Sequence, residues 1–141
     1  MAQRTQEQIS YNMSRIRDRD TKIEILLRDE LIRRGIKTFI SNDKSVEGKP
    51  DIVFSARRIA VFCDSEFWHG YDWENQKKTF KSNEQFWIPK IEKNIIRDVY
   101  VTQKLHDDGW KVFRFWGKLF CILLICFCNF LFLLFVFILL I

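Results

Sequence analysis

Cysteine and histidine are scarce in this sequence, which limits the cross-links and metal sites that it can form. Only one of the four cysteines, Cys63, precedes the C-terminal segment, and no CxxC pair occurs. A disulfide framework in the body of the protein is therefore excluded. The two histidines, His69 and His106, are far apart in the chain, so a structural zinc site is not expected.

Charge is absent from the last part of the chain. Residues 119–141 contain no charged side chain, and Asn129 is their single polar interruption. All 23 basic and 18 acidic residues lie in the first 118 positions. This distribution predicts one mildly basic globular domain over 1–118 and a separate apolar tail over 119–141.

The apolar tail has three explanations. As a helix it would span roughly 34 Å, which is long enough to cross a bilayer. It is also consistent with a buried C-terminal segment or with an ending produced by an altered reading frame. The first residues lack the apolar core of a signal peptide, so we expect a cytoplasmic protein that is membrane-tethered only if the tail is genuine.

Apolar periodicity in the body predicts an α/β fold with a mixed sheet flanked by helices. Helices are expected over about 21–34 and 88–108, and the inward-facing positions of the second are Ile91, Ile95, Val99 and Leu105. Strands are expected at 37–40, 51–54, 58–62 and 110–116, with the middle two joined as a hairpin at the sheet centre. The aromatic stretch from 64 to 83 is predicted to be a loop.

Two acidic residues at the ends of the predicted hairpin strands form a candidate metal site. Asp51 begins one strand and Asp64 ends its partner, so hairpin pairing would bring them together with a main-chain carbonyl. Carboxylate and carbonyl oxygens are the ligands that hard divalent cations prefer. The simpler alternative is that Asp51 only terminates the turn after Gly48.

Glu24 and His69 are further candidates, each with a simpler alternative. Glu24 lies one turn into the first helix, but Thr21-x-x-Glu24 is also a capping-box pattern. His69 could accept a proton from water at neutral pH. Its alternative is a solvated loop histidine without a chemical role.

Large aromatic residues precede a run of basic residues between 67 and 97. Phe67 and Trp68 are adjacent, and the basic residues that follow are Lys77, Lys78, Lys81, Lys90, Lys93 and Arg97. Exposed rings beside basic side chains suit stacking on bases or wedging between base pairs, while the cations can neutralise phosphates. Core packing of the rings and a solvated charged face are the alternatives.

Several short motifs in a fixed order carry a family resemblance over about residues 9–117. The most specific is Phe67-Trp68-His69-Gly70 with Pro50-Asp51 upstream. The others are Asn12-Met13-Ser14, Asp20-Thr21-x-x-Glu24, Phe86-Trp87-x-x-Lys90-Ile91-x-x-Asn94-x-x-Arg97-Asp98 and Gly109-Trp110. Together they resemble the very short patch repair (Vsr) DNA mismatch endonuclease family.

This resemblance implies a fold, a reaction and a cofactor. The fold is restriction-endonuclease-like. The reaction is a magnesium-dependent nick, with two Mg²⁺ ions, in one strand of double-stranded DNA on the 5′ side of the T in a T:G mispair. Asp51 and the backbone carbonyl of Cys63 would hold the metal, and His69 would be the general base. Glu24 and Asp64 would complete the catalytic group.

DNA contacts and partners are also implied by the resemblance. Phe67, Trp68 and Trp87 match an aromatic wedge that enters from the major groove, and Met13 matches a residue that enters from the minor groove. The other implied DNA-binding residues are Lys90, Lys93, Asn94 and Arg97. The implied protein is a monomer whose partners include mismatch-repair proteins and a cytosine methyltransferase system.

Two departures from the family pattern qualify the resemblance. Positions that bind a structural zinc in some members correspond to Glu66, Tyr71, Trp73 and Gly117, so a zinc-free member is expected. Asp64 replaces a histidine that some members have near the phosphate. A restriction-type or transposon-related nuclease of the same fold, and a catalytically silent DNA-binding module, are the alternatives.

Overall fold

A four-stranded sheet lies between two helices in the computed structural model, which describes residues 20–81 and 83–117. In chain order the elements are α1 (Lys22–Arg33), β1 (Ile40–Ser41), β2 (Ile52–Phe54), β3 (Ile59–Asp64), α2 (Trp73–Gln76), α3 (Glu84–Asp107) and β4 (Lys111–Trp116). The strand order is β1-β2-β3-β4. The first two pairings are antiparallel, whereas β3 and β4 are parallel. The predicted mixed sheet with a central hairpin is thereby confirmed.

The second long helix differs from its prediction in two respects. It begins at Glu84 rather than 88, so Pro89 lies inside it and costs one main-chain hydrogen bond near the N-terminus. The inward position predicted for Val99 is wrong, because that side chain is 66% exposed. Val101 is buried instead. The sheet contacts the side of the helix that carries Val101, and Val99 lies nearly opposite around the helix axis.

The segment predicted as a loop over 64–83 contains short helical elements. The helix α2 and a 3-10 turn at Lys77–Thr79 both fall within it. Neither contains a buried residue, which explains why apolar periodicity gave no indication of them.

Strand β3 is buried on both faces, and its alternate residues pack against different helices. The buried cluster on the α1 side contains Leu27, Leu31, Ile52, Phe54, Ile59 and Val61. The cluster on the α3 side contains Ala60, Phe62, Val101 and Leu105. By this alternation Cys63 faces α1 and Asp64 faces α3 at the strand's C-terminal end.

Gly70 lets the segment after β3 pass close to α3. Its φ is +68°, a left-handed conformation that favours glycine. A Cβ at this position would lie 2.5 Å from Cδ1 of Ile95, well inside van der Waals contact. Because Gly70 has no side chain, the backbone can approach α3 closely, and the preceding residue, His69, lies against the helix.

Several predictions fall outside the described residues. They include the apolar segment 119–141, the domain boundary after 118 and the minor-groove residue Met13. Among residues 20–81 and 83–117, no helix combines the length and the apolar character that are needed to span a bilayer. The two-part division of the chain stays a prediction.

Candidate active site

The four acid and base candidates lie around a cavity of about 470 Å³ at the C-terminal end of β3. Four different parts of the fold contribute to it. The lining includes Glu24 from α1, Asp51 before β2, Asp64 at the end of β3 and His69 from the segment that follows. The central hairpin and the two flanking helices therefore bring together residues that are far apart in sequence.

Asp51 continues the pairing of β2 with β3 through its side chain. The last β3 residue paired with β2 is Val61, opposite Ile52. Two residues further along β3, the N–H of Cys63 donates to Oδ2 of Asp51 at 2.6 Å. Because the N–H and C=O of a strand residue point to the same side, the Cys63 carbonyl also faces Asp51. The hairpin thus brings the Asp51 carboxylate next to Cys63, and metal binding by this pair stays a prediction.

The electrostatic environment of Asp51 disfavours its charged form. Burial raises its pKa to about 6, and the neighbouring carboxylates of Glu24 and Asp64 add to this effect. The Cys63 hydrogen bond and His69 oppose it. A divalent cation would neutralise this excess of negative charge, so the oxygen donors of the site fit a hard cation.

The donor set around the candidate metal site is small. Across residues 20–81 and 83–117, no group of three His, Cys, Asp or Glu side chains is arranged to hold a metal ion. A cation there would use Asp51 and the main-chain oxygen of Cys63 rather than a cage of side chains. Burial raises the pKa of the Cys63 thiol, which keeps the thiol protonated and unsuited to metal binding.

Glu24 has the capping role that its sequence pattern suggested, and it also lines the cavity. Its carboxylate accepts hydrogen bonds from the Thr21 hydroxyl at 2.6 Å and from the N–H of Asp20 at 2.9 Å. The capping box with Thr21 is present. Only 3% of Glu24 is exposed. The capping bonds therefore fix a buried carboxylate at one wall of the cavity.

His69 is held by a carboxylate from α3 that the sequence reasoning did not assign. Its Nδ1 lies 2.5 Å from Oδ2 of Asp98. Burial opposes ionisation of Asp98, but the His69 hydrogen bond and the charge of Arg114 lower its pKa to about 2. Asp98 is then an acceptor at neutral pH, so Nδ1 carries the proton. The Nε2 of the neutral ring is left as the basic nitrogen.

Asp64 is buried in an ion pair with Arg114 of β4. It is 2% exposed, and Nε and Nη2 of Arg114 contact its two oxygens at 2.6 and 2.9 Å. The planar guanidinium matches the carboxylate with two parallel bonds. Arg114 also stacks 4.6 Å above the centre of the Phe62 ring. The charge of Asp64, a departure from the family pattern, is thus balanced within the protein.

Sequence reasoning assigned no role to Asp98 or Arg114, although their positions carry a signal. Asp98 lies seven residues after Ile91 on the stripe of α3 that faces the sheet, where a carboxylate needs a partner. Arg114 alternates with Phe113 and Phe115 in β4 and so shares a face with Val112. A charged residue on the inner face of each of two neighbouring elements indicates an internal ion pair.

Phe67, Trp68 and Trp87 form a cluster of edge-to-face rings beside the cavity. The centroid of Phe67 lies 5.0 Å from that of Trp68 and 5.7 Å from that of Trp87. Nζ of Lys90 lies 5.2 Å from the centre of the Trp68 ring, a cation–π distance. Phe67 remains 38% exposed. The rings support each other at the surface and are not sealed in the core.

The remaining DNA-binding candidates lie along one side of α3. Lys90, Lys93 and Arg97 are exposed, and their spacing places them on neighbouring turns. Asn94 lies between them, and its side-chain amide donates to the backbone carbonyl of Trp68 at 3.0 Å. One helix face therefore presents cations to solvent and also holds the segment that carries the aromatic rings.

At positions that bind a structural zinc in some family members, Tyr71 and Trp73 of this protein contact other side chains. Tyr71 packs its ring against Trp116, with 5.1 Å between the centroids. The Nε1 of Trp73 donates to Glu92 at 3.3 Å. Neither Trp73 nor Gly117 offers a side-chain ligand, and a zinc-free protein stays a prediction.

Comparison with known proteins agrees with the geometry of the site. The sequence profile of the family described as DNA mismatch endonuclease Vsr matches residues 1–75. The chain belongs to the Vsr family. As a member it is a strand-nicking DNA endonuclease, and membership implies DNA as the substrate and a divalent metal as the cofactor.

Three relatives show how similar this chain is to other proteins of the Vsr family. The type II nicking enzyme V.HpaIIP of Haemophilus parainfluenzae is 47% identical over 102 residues, or 72% of each chain. V.NmeDIP of Neisseria meningitidis serogroup C, also a type II nicking enzyme, is 44% identical over 114 residues, or 81% of this chain and 76% of the relative. The DNA mismatch endonuclease Vsr of Escherichia coli K12 is 36% identical over 107 residues, or 76% and 67%.

Proposed function

We propose that this Vsr-family enzyme nicks one strand of duplex DNA on the 5′ side of the T in a T:G mispair, as in very short patch repair, with Mg²⁺ as the metal. The observation that carries the proposal is the shared cavity, in which Asp51 and His69 lie beside the half-buried Trp68 ring, and the exposed Phe67 ring packs against Trp68. Mismatch-repair proteins and a cytosine methyltransferase as partners, a monomeric state and a cytoplasmic location stay predictions.

In the proposed reaction, the protein's residues prepare a water molecule to attack the scissile phosphate. His69 accepts the water proton at Nε2 while Asp98 holds Nδ1 and stabilises the imidazolium that forms. The new P–O bond forms as the bond to the 3′ oxygen breaks. The 3′ oxygen takes a proton from solvent, so the nick carries a 5′ phosphate and a 3′ hydroxyl. Bound through Asp51 and the Cys63 carbonyl, Mg²⁺ would offset negative charge on the phosphate and on the leaving oxygen.

Mispair selectivity in this proposal comes from the aromatic cluster. Inserting rings between base pairs costs a few kcal/mol of unstacking per step, and the cost is lower where a mispair already stacks poorly. The cluster of Phe67, Trp68 and Trp87 is rigid because its rings contact one another, so little ordering is needed on insertion. The exposed cations of α3 would hold the phosphates on either side.

Nicking of labelled duplexes tests the proposed function. T:G and T:A duplexes with the same flanking sequence, each labelled on one strand or the other, are incubated with the protein and Mg²⁺. We expect a nick 5′ of the T in the T:G duplex only, and no nick in the presence of EDTA. Equal cleavage of both duplexes would instead support a restriction-type or transposon-related nuclease. Mismatch binding without any cleavage would support a silent binding module.

Trp68→Ala should reduce preference for the mispair more than it reduces binding to ordinary duplex. Stacking is worth about 1–3 kcal/mol per base, so we expect roughly a tenfold loss or more of T:G nicking selectivity. Competition between T:G and T:A duplexes measures the ratio. The matched control is Trp110→Ala, because Trp110 is half-buried just before β4 and does not line the cavity. Equal losses on both duplexes with Trp68→Ala would contradict the wedge.

A further inference from the structure

Arg114 lies where three elements meet, and its guanidinium contacts both carboxylates near His69. It belongs to β4, while Asp64 ends β3 and Asp98 lies in α3. Besides its two bonds to Asp64, Nη2 of Arg114 lies 3.3 Å from Oδ1 of Asp98. The other carboxylate oxygen of Asp98, Oδ2, contacts Nδ1 of His69. A single guanidinium therefore bridges the buried Asp64 and the half-buried Asp98.

The other donors of Arg114 fix the guanidinium itself. Nη1 lies 3.4 Å from the main-chain oxygen of Asp98 and 3.3 Å from the Thr102 hydroxyl. The Thr102 hydroxyl in turn donates to the same Asp98 main-chain oxygen at 2.7 Å. The guanidinium plane is thus anchored to β3 by Asp64 and to one turn of α3 by Asp98 and Thr102.

Asp98 needs this anchor because His69 engages only one of its oxygens. A carboxylate side chain can rotate about two bonds, and rotation would break its hydrogen bond to Nδ1 of the ring. Contacts to the second oxygen from Arg114, and from Arg97 at 3.0 Å, restrict that rotation. Arg97 is largely exposed, with 58% of its side chain accessible, whereas 20% of the Arg114 side chain is accessible. Solvent screening weakens the exposed contact, so Arg114 supplies the stronger restraint.

We infer that Arg114, anchored by Asp64, is a positioning residue that fixes the Asp98 carboxylate on His69 and thereby selects the tautomer in which Nε2 is basic. Oδ1 of Asp64 lies 3.5 Å from Nδ1 of His69, against 2.5 Å for Oδ2 of Asp98, so Asp64 acts on His69 through Arg114 and takes no part in proton transfer or in metal binding. This inference rests on the proposed function for its catalytic consequence. The orientation of Asp98 and the tautomer of His69 can be measured in the protein without DNA or metal.

Lysine cannot replace Arg114 in this role. The guanidinium presents five donors in a rigid plane and reaches Asp64 and Asp98 together, whereas an ammonium is a point donor on a flexible chain. Removing the charge alone, as in Arg114→Met, leaves Asp64 buried without a partner and weakens folding. The double variant Asp64→Asn/Arg114→Met removes both charges, so it provides a test in which the buried charge is not left unpaired.

Histidine ¹⁵N spectroscopy gives a readout that a merely structural role would not change. The chain contains two histidines, and His106 is exposed near the end of α3, so it serves as an internal reference. We expect neutral His69 in the wild type to carry its proton on Nδ1. In Arg114→Lys and in the double variant we expect a mixture of tautomers at His69, with His106 unchanged.

Nicking kinetics on the T:G duplex separate the role of Arg114 from that of Asp64. For Arg114→Lys and for the double variant, we expect kcat to fall on the order of 10- to 100-fold with KM nearly unchanged, the range seen when the hydrogen-bond partner that orients a metal-ligating histidine is replaced. Asp64→Asn keeps one acceptor for Arg114 and should lose less than either. Arg57→Met is the matched control, because Arg57 is exposed in the turn between β2 and β3.

The tautomer of His69 and the nicking rates of the variants together decide whether Arg114 positions Asp98. If the tautomer of His69 is unchanged in both folded Arg114 variants, the positioning role is wrong. If Asp64→Asn alone loses as much activity as the double variant loses, Asp64 acts directly and the inference is also wrong. If the wild-type protein nicks no T:G duplex but the tautomer shifts as expected, the proposed function fails while the positioning of His69 stands.

Discussion

Asp51→Asn should abolish nicking while leaving DNA binding intact. The charge stabilisation that a bound metal supplies is worth several kcal/mol, so its loss should reduce kcat on the order of 10³-fold or more. Asparagine keeps an oxygen that can accept from the N–H of Cys63, which preserves the end of the hairpin. The measurement is single-turnover nicking of the T:G duplex at saturating enzyme, with binding followed separately by fluorescence anisotropy.

The same substitution should stabilise the metal-free protein above about pH 6. Folding raises the pKa of Asp51 from 3.8 to about 6, so the folded state binds a proton more tightly than the unfolded state does. The wild-type protein therefore loses stability as the pH rises from about 4 to 6, by at most about 3 kcal/mol. Asparagine does not ionise, so the advantage of Asp51→Asn should be present at pH 8 and absent at pH 4.

Thermal unfolding with and without Mg²⁺ completes the test of Asp51. Metal binding stabilises the folded state by mass action, so Mg²⁺ should raise the melting temperature of the wild type but not of Asp51→Asn. Asp29→Asn is the matched control, since Asp29 is exposed on α1 and should respond to Mg²⁺ as the wild type does. Nicking that survives Asp51→Asn, or an equal Mg²⁺ response in both proteins, would contradict the metal site.

His69→Gln should reduce the rate of nicking with little change in mismatch binding. A positioned general base contributes about 10²- to 10⁴-fold, and glutamine cannot accept a proton at neutral pH. The substitution keeps a donor that can reach Asp98, so the packing of the segment after β3 should persist. We expect the fall in kcat to be largest below pH 8 and to diminish at higher pH, where hydroxide replaces the base.

His106→Gln is the control for the loss of an imidazole. His106 is exposed and lies at the end of α3, so its replacement should leave both kcat and the pH profile unchanged. A full rate in His69→Gln would show that another group accepts the proton. A parallel loss of mismatch binding would indicate that His69 positions the aromatic rings rather than the water.

The proximity of Asp51 and Cys63 could be predicted from the sequence, because a hairpin pairs residues that lie on either side of a short turn. The alternation of β2 and β3 and the short turn between them fix the register, and the register determines which residues meet beyond the paired region. Glu24 was also predictable as a helix cap, because capping depends on residues within one turn. These are local relationships, and a single sequence contains all the information that they need.

The network around His69 could not be assigned in the same way because it joins elements that are distant in sequence. Asp98 and Arg114 meet Asp64 only after α3 has packed on the sheet and β4 has paired in parallel with β3. The incorrect inward placement of Val99 has the same origin. The apolar period of α3 is compatible with a range of rotations about its axis, and packing on the sheet selects one of them.

The proposed catalytic base, His69, follows two of the rings, Phe67 and Trp68, directly in the chain, whereas Trp87 comes from α3. Changes at the first two rings would disturb the backbone that presents His69, so a new target preference acquired there would come with slower cutting. Trp87 contacts both of these rings but belongs to a different element, so its replacement leaves the backbone before His69 in place. Directed evolution toward a different mispair should therefore accumulate its first successful substitutions at Trp87 and its neighbours on the helix, and only later at Phe67 and Trp68.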